Sequence, residues 1–489
     1  MKHLFKNTIF FGLLILVITG CKKDFLDKND PTTLNWQAIY NTTSDFQAAL
    51  AGCYLSITGP ATDNIYLGDI TSDNAYITRY QPSGPLADLD QLVVSSQNSI
   101  LSDYWANNYT TIQRVNLIID KIANSKVPAS EQKEIVAEAK FLRAYSYFNL
   151  VRAFGGVPLY DKYLSIDAIY QVPRSPVNNV LDLVISDLKE ASNVDSYRTP
   201  AELANAGGKV SSIAAQTLLG KTYLWKKDFA NAETTLGNIV NTGGLALVSL
   251  SDLYNPDITF NKEVIFSINY ERTTNFSSPF VTSLIPYNSP PIYANTPQVP
   301  AGSGDGMIEP YVASKFSPGD LRAKLIDTET FAYLDKVDTN IYTRKYYDPL
   351  TTFNYLSGSK TIILRYADVL LMYAEALNQN GKTSQAYQYV NQVRTRAGIG
   401  NLPAGYSQAQ MFQALADERQ REFLLEGDRW FDLCWRGIDF LKKEMNNYIP
   451  NAYLTIYRNK LTVKDYLILF PIPLDQINIK PVLVQNPGY

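Results

Sequence analysis

A dense set of charged side chains crowds one short stretch of this chain, among them Arg419, Glu422, Glu426, Asp428 and Arg429. Residues three and four apart share a helical face, so Glu422 and Glu426 form a carboxylate pair, the equipment of glycoside hydrolysis. Adjacent turns of one helix rarely bracket a substrate, however, and the set reads better as structural ion pairing. A second constellation lies in ITSDNAYITRY (70–80) and the residue before it. There Asp69, Asp73 and Asn74 offer planar polar groups to hydroxyls, and Tyr76 and Tyr80 offer ring faces that stack on sugars. The same Asp73–Asn74 pair could merely cap and turn the chain. A third patch, Tyr287, Tyr293 and Asp305 beside Asn288 and Asn295, has the aromatic and amide lining that suits a neutral hydroxylated ligand. Asp88 and Asp90 alternate as in a calcium loop, but no EF-hand register with its Gly and terminal Glu follows, so a solvated loop is expected.

What is missing narrows the chemistry further. The single histidine is His3, so Ser-His-Asp and Cys-His catalysis and histidine-ligated metal sites have no residues to work with. Beyond Cys21 there are Cys53 and Cys434, both in apolar helical contexts where small buried hydrophobes are expected. Net charge is −3 and no basic run exceeds two lysines, which leaves no electrostatic footprint for nucleic acid. Tyrosine, at 34 residues against 21 phenylalanines, points toward surfaces that hold amphipathic ligands, with helix packing as the alternative use.

The beginning of the chain, MKHLFKNTIFFGLLILVITGC, has a basic start, an apolar run and small residues leading into Cys21. That is a secretory signal, with an apolar run too short for the roughly 20 residues that span a bilayer. The ending V-I-T-G-C resembles the lipobox of bacterial lipoproteins, which implies a signal peptide over residues 1–20 and a lipid-anchored Cys21. Residues 21–35 then read as a polar tether that could reach roughly 50 Å when extended.

Helical periodicity marks the elements that must position these groups: 36–56, 101–123, 130–154, 176–193, 211–226, 228–241, 364–380, 383–397 and 407–426, the last continued over 429–443. Between 246 and 361 the pattern breaks into short strand-like pieces such as VIFSINY (264–270) and a Pro/Gly-rich loop, SPPIYANTPQVPAGSGDG (289–306). A structureless loop of that length is usually functional. Gly220 and Ala232, like Ala374 and Ala386, are small residues twelve apart on successive helices, the arrangement of tetratricopeptide pairs. On 141–154, Phe141, Tyr145 and Phe148 make one face and Ala144, Tyr147, Val151 and Phe154 the next, so this helix must be buried on two sides.

Several segments together resemble the SusD/RagB-like outer-membrane lipoproteins of Bacteroidetes: CKKDFLD (21–27), EAKFLRAYSYFNLVRAFGGVPL (138–159), LRYADVLLMYAEALNQNG (364–381), VNQVRTRAG (390–398), ERQREFLLEGDRWFDLCWRG (418–437) and LFPIPLDQINIKPVLVQNPGY (469–489). The resemblance implies a mainly α fold in which about four tetratricopeptide-like helix pairs support an irregular, loop-rich face with short strands. One domain over 36–489 is expected, with helical repeats at 36–245 and 362–445, a ligand-face insertion at 246–361 and a C-terminal segment at 446–489. It also implies a cell-surface position on the outer membrane and a SusC-like TonB-dependent transporter as partner. The implied ligand is an oligosaccharide, with a peptide as the alternative, and no cofactor, metal or catalysis is implied. Under this resemblance the charge set around Glu422 is structural, and the loops at 69–80 and 287–305 hold the ligand. A carboxylate-dependent glycosidase is the competing reading from another class.

Overall fold

The computed structural model describes residues 39–78, 83–193, 199–273, 276–286, 302–333, 336–351, 356–447 and 463–489. Its twelve principal helices are α1 (Thr43–Ser56), α2 (Thr58–Ile65), α3 (Ser99–Ile122), α4 (Ala129–Phe154), α5 (Val177–Ala191), α6 (Ser212–Trp225), α7 (Phe229–Thr242), α8 (Tyr366–Gln379), α9 (Thr383–Arg396), α10 (Gln408–Glu422), α11 (Arg429–Arg436) and α12 (Ile438–Asn447). Among the described residues four antiparallel two-stranded sheets form, and three of them bear on the irregular face. They are β1 (Ala75–Tyr76) with β3 (Met307–Ile308), β2 (Val264–Ile268) with β6 (Thr361–Arg365), and β4 (Ile326–Tyr333) with β5 (Lys336–Thr343).

Helices 3 to 9 pack in succession, each on its neighbours in the chain, with α8 seated on α7 despite the 246–361 insertion between them. The small residues expected at the helix crossings do that work. A Cβ on Gly220 in α6 would fall 2.5 Å from Leu236 Cδ2 in α7, so glycine is what lets Leu236 seat. Ala374 and Ala386 are both fully buried at the α8–α9 crossing. Helix α4 is the spine. Phe141, Tyr145, Phe148, Ala144, Tyr147, Val151 and Phe154 are all buried, and α4 touches α1, α3 and α5. The Arg143 guanidinium fixes α4 to α5 through a two-pronged bond to Asp187, 2.7 Å on each side.

Tyrosine serves this core more than a surface. The Tyr147 hydroxyl donates to Tyr160 O at 3.1 Å and accepts from Tyr160 N at 2.6 Å, and the Tyr104 hydroxyl donates to Asn64 at 2.8 Å. For these residues the compositional argument for a ligand surface is corrected: the hydroxyl lets a ring be buried with its polar atom satisfied. Cys53 and Cys434 are free and buried, and burial pushes the Cys53 thiol up to about 12, in keeping with two inert packing residues.

Two expectations about the elements change. The first helix begins at Thr43, where the Thr42 side chain accepts from Asp45 N and Asp45 reciprocates in a capping box, while 36–38 lie outside the described residues. The long helix expected over 407–426 stops at Glu422. Leu425 and Gly427 then take left-handed backbone, at φ 59° and 93°, before α11 starts. The break is forced by packing. A Cβ on Gly68 would meet Gly427 O at 2.1 Å, so two backbones cross here in direct contact. Within 246–361 the hairpin β4–β5, with eight residues in each strand and in register from Ile326↔Thr343 to Tyr333↔Lys336, is more regular than expected.

Gly220→Val should cost about 1–3 kcal/mol by overpacking against Leu236. Gly52→Ala, in α1 with nothing within 4 Å of the added Cβ, should instead gain up to about 1 kcal/mol. Urea unfolding of both variants tests the assignment of Gly220 to the helix crossing.

Candidate functional site

The chain reaches the irregular face through a π-helical turn, Tyr66–Ile70, that continues α2 and is buried at Leu67, Gly68, Asp69 and Ile70. Asp69 lies inside it. Its Oδ1 accepts from Asn74 Nδ2 at 2.6 Å and Leu425 N at 3.0 Å, and its Oδ2 accepts from Gly427 N at 2.7 Å. These bonds clamp the 69–74 turn to the segment joining α10 to α11. Burial pushes the Asp69 carboxyl up to about 7 even against those three donors.

Asp73 is locked in the same way. Both of its oxygens receive Arg429, each at 2.8 Å, and Gln420 Nε2 adds bonds of 2.8 Å to Asp73 and 3.0 Å to Asn74. Lys315 Nζ in turn donates to Gln420 Oε1 at 2.6 Å. Asp69, Asp73 and Asn74 are each fully buried, so their expected role as direct hydrogen-bond partners of a ligand is corrected. Their polar atoms are occupied by the protein, because a carboxylate taken out of water needs charge-assisted partners. Tyr76 is corrected likewise: it is only 4% exposed and packs with Met307 and Tyr342 in a small separate cluster. Those four residues shape the face from beneath.

The two candidate stretches nevertheless meet. β1 pairs with β3, Ala75 opposite Ile308 and Tyr76 opposite Met307. Thr78 N donates to Gly304 O at 3.1 Å, and Glu309 N to Asn74 O at 3.0 Å. On its other side the 303–305 segment bonds to 282–285 through Ser303 N to Thr282 O, Asp305 N to Ser283 O and Gly304 N to Ile285 O. Asp305, half-buried, accepts from Ser303 Oγ at 2.6 Å within this wall. The segments 79–82 and 287–301 therefore leave the described structure from neighbouring points, Thr78 on one side and Ile285–Pro286 and Gly302 on the other. Tyr80, Tyr287 and Tyr293 lie outside the described residues, as do Asn288, Asn295 and Cys21. Flanking the wall, the exposed Arg344 guanidinium stacks over Tyr347 at 4.8 Å. Sequence reading passed over that pair; the signal was present as R-K-Y-Y at the end of the β5 alternation.

The carboxylate pair Glu422 and Glu426 forms no acid–base couple. Glu422 receives Arg365 at 2.6 Å, Arg322 at 3.1 Å and also Arg396; Glu426 receives Arg365 at 2.8 Å and also Lys345. Despite deep burial, these cations hold the Glu422 carboxyl well below the usual range and lower Glu426 too, the opposite of what a general acid needs. Among the described residues no group of three or more His, Cys, Asp or Glu could hold a metal ion.

The architecture is thus a helical-repeat scaffold presenting a loop-built face. A family model described as starch-binding associating with outer membrane matches residues 24–224, and one described as SusD family matches residues 328–489. A SusD-like protein of Formosa agariphila is 25% identical, with 99% of each chain covered. Among solved structures, a laminarin binding SusD-like protein superposes with a TM-score of 0.77 at 22% identity, covering 92% of this chain and 100% of that one. A surface glycan-binding protein A from Bacteroides uniformis does so with a TM-score of 0.77 at 24% identity, covering 91% and 99%. The chain belongs to the SusD-like family.

Glu422, Glu426, Asp73, Asp368 and Asp428 all have carboxyls lowered by neighbouring cations despite burial. A carboxyl whose folded pKa lies below its unfolded value of about 4 contributes stability above that value and loses it as pH falls. Thermal stability should therefore fall as pH drops below about 4, where these five carboxyls begin to lose their advantage over the unfolded chain. Arg429→Met, which strands Asp73, should cost about 3–5 kcal/mol at pH 7 and flatten that acid dependence.

Proposed function

We propose that this protein is a lipid-anchored, cell-surface binder of an oligosaccharide, which it hands to a SusC-like TonB-dependent transporter without chemical change. One observation carries the reading. The β1–β3 pairing sets the stem of the 79–82 loop against the stem of the 287–301 loop, and those loops hold Tyr80, Tyr287 and Tyr293. Paired aromatic loops on a rigid base are how a shallow face grips a hydroxylated chain, by stacking rather than by charge. One superposing structure is described as laminarin binding and another as a surface glycan-binding protein, which supports an oligosaccharide over a peptide. The lipobox-like V-I-T-G-C ending at Cys21 supports the anchor, and affinity at such a tethered face gains from high local concentration.

Calorimetric titration with laminarin, starch oligosaccharides and a mixed peptide library tests the reading. A glycan should bind, and Tyr80→Ala, Tyr287→Ala or Tyr293→Ala should each weaken it by about tenfold, roughly 1.4 kcal/mol, with melting unchanged. Asp73→Asn should lower melting instead. Peptide binding alone would replace the oligosaccharide by a peptide. Undiminished affinity in all three tyrosine variants would remove these loops from the site.

A further inference from the structure

On a different part of the molecule, α1, β2 and the glycine turn before α6 enclose an open cleft of about 490 Å³. It shares none of the residues that build the loop face. Its walls are apolar: Leu50 and Leu55 from α1, Phe266 and Ile268 from β2, and Phe276 beyond the strand. One rim is backbone, because Gly207 carries no side chain and a Cβ there would meet nothing within 4 Å.

Gln47, Thr58, Ser267 and Asn269 add neutral polar groups, and the two charged residues of the lining are Glu138 and Lys209. Glu138, on α4, is buried, and its Oε2 accepts the Tyr54 hydroxyl at 2.8 Å. The Tyr54 oxygen in turn accepts Val210 N at 3.0 Å, so its position is fixed. The other carboxylate oxygen, Oε1, meets Lys209 Nζ at 3.7 Å, too long for a hydrogen bond. The Lys209 side chain is 42% exposed and has room to swing. Burial raises the Glu138 carboxyl above its ordinary value, with Lys209 and the Tyr54 bond pulling it back.

We infer that this cleft is a second binding site, for a small zwitterion with a bulky apolar body, such as an α-amino acid or the free end of a short apolar peptide. A purely apolar occupant would cover Glu138 Oε1 without giving it a donor, which is costly for a buried carboxylate. An ammonium group supplies that donor as a charge-assisted bond, and Lys209, released from its long contact, is free to meet the ligand carboxylate. The volume lies within the range of small-ligand pockets, about 300–1,000 Å³.

The probe is the dipeptide leucyl-phenylalanine, titrated by calorimetry into residues 22–489, with its N-acetylated form as the control. The free dipeptide should bind. N-acetylation should weaken it by tenfold or more, since each charge-assisted bond contributes on that scale. Glu138→Gln, which keeps an acceptor for Tyr54, should do the same without changing melting. Leu55→Trp, at a wall position that is 57% exposed, should fill the cleft and abolish binding without disturbing the core. Glycan titration in the same two variants should be unaffected, so failure here is separable from failure of the loop face. Absence of dipeptide binding at millimolar concentration would overturn the inference. So would equal affinity for the acetylated and free forms, or an unchanged affinity in Glu138→Gln.

Discussion

Everything in the molecule leans on one buried cage of charge around Glu422. Arg365 enters it from the end of β6, Arg396 from the end of α9 and Arg322 from the turn before β4. Glu263 closes the ring by bonding both Arg365 and Arg396 at 3.0 Å, and Glu418 bonds Arg322 at 2.7 Å. The cage therefore joins the helical repeats to the 246–361 insertion, and bonds such as Lys315 to Gln420 and Tyr346 to Leu425 O add to it. Ion pairs of this depth contribute little net stability, because desolvation offsets the Coulomb gain. What they do is exclude alternatives: a shifted register at any of these elements would leave a charge buried and unpaired.

A few residues further on, the same segment reaches the loop face. Arg429 and the backbone of 425–427 hold Asp73 and Asp69, and the turn bearing those aspartates delivers β1 to β3. Sequence-distant features, the charge set at 419–429 and the polar turn at 69–74, are thus two halves of one joint. A fixed base beneath sequence-variable loops is a common solution, because loops can change ligand while the scaffold stays the same.

The helical part was legible because it depends on local pattern. Gly220 and Leu236, or the double apolar face of 141–154, announce themselves by spacing alone, and helix ends at Ser211 and Ser407 carry their own capping signals. The site was legible only as a region. ITSDNAY shows polar groups and rings, but nothing local says that Arg429, 356 residues away from Asp73, will claim that carboxylate. The same long-range contact hid the break after Glu422, since only the crossing of Gly68 and Gly427 forces the chain out of its helix. Family likeness named the fold; the side chains proposed to touch a ligand lie in stretches with no periodicity to read.

The central claim is that ligand meets the 79–82 and 287–301 segments and not Asp69 and Asp73. Hydrogen–deuterium exchange with and without a bound oligosaccharide tests it most directly. The account predicts new protection in peptides spanning 79–82 and 287–301, with 69–74 already protected in the free protein and unchanged on binding. Fast exchange at 69–74 that slows only when glycan is added, with the two loops unaffected, would contradict it.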